Sequence, residues 1–159
     1  MKNILVSVDF SKNAADVALY TAEMAMLCKA RLILFYAYHP AATDSSSSTF
    51  PSERQVQARL DKLARKLHNS TGASITRLIK PGSETHEILA IADTVKASIA
   101  ILCHPNIEGQ CALTVSAHNT TPVLSIPTTA PFDMQALQSA LAQQLQLPGF
   151  LPAPILAST

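Results

Sequence analysis

The sequence predicts an α/β domain, a doubly wound sheet of five parallel strands with helices on both faces. Three observations predict it. Apolar runs of strand length alternate with helix-period segments from residue 2 to residue 127. The segments between runs are long enough for right-handed crossovers between parallel strands. The runs themselves, "LILFYAY" among them, are almost wholly apolar, as in strands covered on both faces. A chain of 159 residues holds one such domain with a real core and is too short for two ordinary ones.

The first strand is "NILVSVD", residues 3–9. Ser11 follows as an N-cap, and "KNAADVALYTAEMAMLCKA" reads as a helix. Its expected inner face is Ala15, Ala18, Ala22 and Ala25 with Leu19 and Met26, mostly small residues that let a helix lie close to a sheet. "RLILFYAY" (31–38) is the second strand. In the polar loop "HPAATDSSSSTFPSE" the serine run has no hydrophobic anchor before Phe50 and is expected to be mobile. Residues 53–69 form a helix with Val56, Leu60, Leu63 and Leu67 on one stripe. Its other side carries Arg54, Arg59, Lys62, Arg65 and Lys66. Glu53 and Asp61 dilute that side and no aromatics interleave it, so it reads as a solvated face and not as a nucleic-acid site.

"ASITRLIK" (73–80) is the third strand, ended by Pro81 and Gly82. Ser83 caps the next helix, Glu84 and Glu87 suit its positive end, and Ile88, Leu89, Ala92 and Val95 face inward. "ASIAILC" (97–103) is the fourth strand. "QCALTVSAHN" reads as a short helix, and "PVLSIP" (122–127) as the fifth strand, expected at an edge of the sheet. The domain so defined spans residues 1–127, and residues 128–159 form a C-terminal extension. Within the extension Asp133 can cap a helix over about residues 133–147, with Leu137, Leu141 and Leu145 on one stripe. The tail "PGFLPAPILAST" is apolar and punctuated by proline. Extension and tail are expected to pack on their own domain or to cross to a partner copy.

Composition excludes several classes. The apolar runs fall far short of the roughly 18 residues of a membrane span, and "MKNILVSVDFS" lacks a signal-peptide core, so a cytoplasmic protein without membrane contact is expected. Three cysteines, an odd number, are expected to be reduced. The net charge of +1 does not favour nucleic acid as a partner. All 12 Lys and Arg residues lie at or before Lys96, so an anion bound by the last third must rely on backbone amides or on earlier side chains.

The stretches "NILVSVDFSKNAADVALYTAEMA", "PGSETHEILAIADTVKASIAIL" and "TTPVLSIP", in that order over about residues 2–127, strongly resemble the universal stress protein family. The resemblance implies a Rossmann-like sheet of the adenine nucleotide alpha hydrolase type, frequent dimerisation and a part in stress tolerance. One branch of the family binds ATP and another lacks the nucleotide motif. In ATP-binding members an Asp matching Asp9 contacts the nucleoside, and a main-chain group near the position of Ala37 contacts adenine. The residues alone leave a second role open for Asp9, capping the turn into the first helix with Ser11.

ATP-binding members also carry Gly-x2-Gly-x9-Gly-Ser/Thr after the fourth strand, where glycines let the backbone approach phosphates and the last pair opens a helix. Counting back from Pro122 by the family's interval puts the third glycine at Gly109 and replaces the Ser/Thr by Gln110. The first two glycines fall at Lys96 and Ile99. "HPNIEG" is then a shortened remnant in which Pro105 removes a donor and Glu108 adds a repelling charge. The chain is therefore expected to belong to the branch without ATP. If a nucleotide does bind, ATP or AMP with Mg, the residues concerned are Asp9, Ala37, Gly109 and Gln110.

Cys103, His104, Cys111 and His118 match no zinc spacing and lack a C-x2-C pair, so no metal site is expected. No G-x-S-x-G elbow is present, and His104 at a strand end does not by itself make a catalytic pair with Asp9. The expected function is a non-enzymatic module with no cofactor, acting as a homodimer or with a partner. Dimerisation is expected through the strand bracketed by Pro122 and Pro127 together with the C-terminal extension. The alternative is a nucleotide-binding member with a divergent loop.

Overall fold

Strand β1 (Asn3–Ser7) is buried along almost its whole length, which its unbroken apolar run requires of a central strand. In the computed structural model, which describes residues 2–38, 52–82, 84–104, 112–116, 119–128 and 134–145, β1 lies parallel to a strand on either side. These are β2 (Arg31–Tyr38) and β4 (Ala97–His104). Beyond β2 lies β3 (Ser74–Pro81), also parallel. The chain leaves β1 through α1 (Lys12–Leu27) to β2, then through α2 (Glu53–Thr71) to β3. It returns through α3 (Glu84–Thr94) to β4, on the far side of β1. The direction of winding thus reverses between β1 and β4, the place where sheets of this kind bind ligands.

The helices start and stop where side chains satisfy their free backbone groups. Ser11 accepts from the Ala14 amide at 3.1 Å and opens α1. A capping box opens α2, with Ser52 accepting from the Gln55 amide while Gln55 accepts from the Ser52 amide at 2.9 Å. Gly72, at φ 78°, closes it in the left-handed conformation. On α2 the buried stripe is Val56, Leu60, Ala64 and Leu67, with Leu63 partly buried, much as its spacing predicts. On α1 the buried face is rotated from the expected one. Ala14, Val17, Ala18, Thr21, Ala22, Met24 and Ala25 are inside, whereas Leu19 and Met26 are exposed. Small residues on nearly every side of α1 make its apolar stripe ambiguous, and the choice falls on the face that carries Val17 and Met24.

The last third departs most from expectation. The segment expected as a short helix is a strand, β5 (Ala112–Ser116), antiparallel to β6 (Asn119–Pro127). β6 in turn pairs parallel with β4, so the order is β3-β2-β1-β4-β6-β5. Five strands are parallel, as expected, and the sixth adds an antiparallel edge. The strand expected at an edge, residues 122–127, is therefore paired on both sides within the chain and is not an edge. In "ALTVS" the adjacent β-branched Thr114 and Val115 suit a pleated strand, and five residues are too few for a helix to sustain itself. Pro122 is tolerated inside the sheet because its missing donor falls outside the β4 ladder, which begins at Ala100–Val123. On the other side it lies next to the irregularity at Val115–Ser116.

α4 (Met134–Leu145) belongs to the same core as the rest. Leu137, Leu141 and Leu145 are buried with α1, α2 and the outward residues Ile4, Val6, Leu32, Leu34, Ile99, Ile101, Leu124 and Ile126 of the sheet. The other face packs α3, through Ile88, Ile91 and Ala92, on Leu5, Ile33, Phe35, Ala37, Leu102 and Val123. Lys2 Nζ donates to the Leu145 carbonyl at 2.9 Å and ties the end of α4 to the start of β1. The helix thus docks in cis on the domain, and the core does not stop at residue 127. The serine-rich loop and the proline-rich tail lie outside the described residues. Among the described residues no helix is long and apolar enough to cross a membrane.

Candidate functional site at the carboxyl ends of the strands

The β1–β2 ladder ends at Ser7–Phe35, with the Val8 amide donating to the Phe35 carbonyl at 3.0 Å. β2 runs three residues further, to Tyr38. Main-chain groups of a strand point alternately to its two sides. The Phe35 carbonyl faces β1, whereas the Tyr38 carbonyl faces β3, where it accepts from the Gly82 amide at 3.0 Å. The N–H and C=O of Ala37 therefore face the β1 side, beyond the point at which β1 has turned away. Ala37 itself is buried, with its side chain in the core beneath α3. Asp9 follows the end of β1 by two residues and Ala37 lies two residues beyond the last position of β2 paired with β1, so both expected site residues come from the carboxyl ends of adjacent strands.

The turn that carries Asp9 is held by three sets of contacts. Phe10 has φ 62°, an uncommon conformation for a residue with a bulky side chain. Its ring stacks on Tyr36 with centroids 5.0 Å apart and planes 25° from parallel. The Arg59 guanidinium lies 4.4 Å from the centre of the Phe10 ring, so one of the basic residues of α2 has an aromatic partner and is not simply solvated. Asp9 Oδ1 accepts from the Ser11 amide at 3.0 Å, the capping role open to it from sequence. Asp9 Oδ2 accepts from the Thr128 hydroxyl at 2.6 Å, and Asn13 Nδ2 donates to the Thr128 carbonyl at 3.3 Å.

Thr128 was not legible as a site residue. It is 119 positions from Asp9 and lies just past a strand that the sequence places at an edge. Ser7 is a second polar group without a sequence signal. Its hydroxyl is fully buried, across from Phe35 and Leu102 on the neighbouring strands, and finds no hydrogen-bond partner among the described residues. "NILVSVD" marks it only as one small residue in an apolar run.

Gly109 and Gln110 lie outside the described residues, as do Cys111, His118 and the side chain of His104. The two remaining positions of the glycine pattern can be placed. Lys96 forms the turn before β4, at φ 52°, and Ile99 is buried inside β4. Neither stands in a loop after the strand. Cys103 is buried in the core and Cys28 is partly exposed, its thiol 3.8 Å from the Ala25 carbonyl. Among the described residues no three His, Cys, Asp or Glu side chains come together.

The model of the universal stress protein family matches residues 1–105, which hold β1 to β4 and the helices between them. No curated protein matches in sequence. Solved structures with the same fold include a universal stress protein in complex with cAMP, at 19% identity and a TM-score of 0.57. The alignment covers 80% of this chain and 97% of that one. A universal stress protein from Archaeoglobus fulgidus has 16% identity and a TM-score of 0.57, with 79% and 93% covered. One from the same organism in complex with dAMP has 18% identity and a TM-score of 0.53, with 65% and 81% covered. With the family model covering well over half of its length, and a sheet that reverses its winding between β1 and β4, this chain belongs to the universal stress protein family.

Proposed function

We propose that the chain is a non-enzymatic universal stress protein module that works in the stress response through self-association or a protein partner, without a nucleotide cofactor. The engagement of Asp9 carries this reading. Both oxygens of the one side chain expected to meet a nucleoside are already bound within the chain, to the Ser11 amide and the Thr128 hydroxyl. The positions of Lys96 and Ile99 support it, because the glycine spacing of a phosphate loop falls on β4 and the turn before it. So does the absence of any Lys or Arg after Lys96, which leaves little charge to offset Glu108 beside the remaining glycine. Self-association is assigned to the outer edge of the β5–β6 hairpin, since β5 and not β6 ends the sheet.

A second reading, a nucleotide-binding member taking ATP or AMP with Mg, is favoured by the main chain of Ala37, which faces the gap beyond β1 as an adenine contact requires. It is favoured too by the complexes of similar proteins with cAMP and dAMP. Acid extraction of the purified protein separates the two. The proposal expects an extract without adenine absorbance, and stoichiometric adenine would overturn it.

A further inference from the structure

β1 and β6 are not neighbours, because β4 lies between them. The Thr128–Asp9 hydrogen bond nevertheless joins the chain just past β6 to the chain just past β1, across the end of β4. That is the mouth of the switch point. At 2.6 Å the contact has the length of a charge-assisted O–H···O bond to a carboxylate. Asn13, in the first turn of α1, holds the same residue by its carbonyl at 3.3 Å. Thr128 is thus fixed at both its hydroxyl and its backbone.

We infer that Thr128 is an internal occupant of the switch point. Its hydroxyl holds one acceptor position on Asp9 Oδ2, so a ligand hydroxyl or amine that takes this position must displace Thr128. The inference rests on the reading given under the proposed function and deepens it. The site is closed from within by a named hydrogen bond, in addition to having lost its phosphate loop. A ligand that takes this position must break that bond before it can form its own, so its apparent affinity is reduced by the fraction of molecules in which Thr128 is away.

Adenosine is the appropriate probe, because it carries no phosphate and does not depend on the glycine loop. Calorimetric titration of the full chain is compared with Thr128→Val, which keeps the shape and removes the donor, and with Thr128→Ser, which keeps the donor. Loss of a bond to a charged acceptor should tighten adenosine binding by Thr128→Val about tenfold or more. Thr128→Ser should match the wild type, and Asn13→Ala should shift affinity the same way by a smaller factor. A Thr128→Val protein that binds adenosine no better than the wild type overturns the inference, including the case in which neither binds. If Thr128→Val does not melt cooperatively, Asn13→Ala decides by the same criterion. Tight ATP binding by the wild type would refute the proposed function. A missing gain in Thr128→Val refutes only the internal occupant.

Discussion

Ser7 shows how one atom can carry a measurable energy. A hydroxyl buried without a partner costs about 1–3 kcal/mol, because its hydrogen bonds to water are lost on folding and not replaced. It lies on the α3 face, with Phe35 and Leu102 as its neighbours in register. Ser7→Ala removes the hydroxyl and keeps the small volume, so it should raise stability by about 1 kcal/mol, read as a higher denaturation midpoint with an unchanged slope. A lower midpoint would mean that the hydroxyl is used. Asp9 is the opposite case, a polar group that accepts a hydrogen bond on each of its two oxygens. From sequence Asp9 was identifiable as a strand-end carboxylate, and its contact with Ser11 is local enough to foresee. Thr128 was not, since nothing in "SIPTTAP" says that the chain returns to within hydrogen-bond reach of residue 9.

Among the elements, those whose pattern is both long and one-sided were readable, and those that are short or apolar all round were not. α2 has a polar face, so its start and its buried stripe follow from spacing, while its end lies two residues beyond the expected one. α1 has small residues on every side, and its orientation is set by what it packs against. β5 is five residues long, and only its pairing with β6 makes it a strand. α4 looked like an appendix because it follows a proline-bracketed strand, yet its leucines complete the face that α1 and α2 begin. Leu141→Ala should therefore cost about 2–5 kcal/mol, as for any buried leucine of a main core, and should lower the denaturation midpoint accordingly. A loss below about 0.5 kcal/mol would place α4 outside the cooperative unit. The contact between α1 and α4 also has a pH signature. Burial raises the pKa of Tyr20, Gln138 lowers it by a hydrogen bond, and Glu23 raises it further by its charge, with a net upward shift. A phenol with a folded pKa above its unfolded value of about 10 contributes its full stability below pH 10 and loses it as pH rises through the folded value. Denaturation midpoints followed from about pH 9 to 11 should fall in the wild type and fall less in Tyr20→Phe. Equal slopes would exclude Tyr20 as the source.

For the whole molecule, the family sheet is present from β1 to β4, and the proposal that no nucleotide binds turns on the sequence that follows β4. The two glycine positions that can be placed are a turn lysine and a buried isoleucine, and the basic residues stop at Lys96. A phosphate cradle supplies several amide donors, each charge-assisted bond contributing about 1.5–3 kcal/mol. Loss of two or three of them costs roughly 3–9 kcal/mol, or some two to six decades of affinity. The most direct test is calorimetric titration of the full chain with ATP in the presence of magnesium. No dissociation constant tighter than about 100 μM is expected. A low-micromolar constant that weakens on Asp9→Ala would contradict the proposed function.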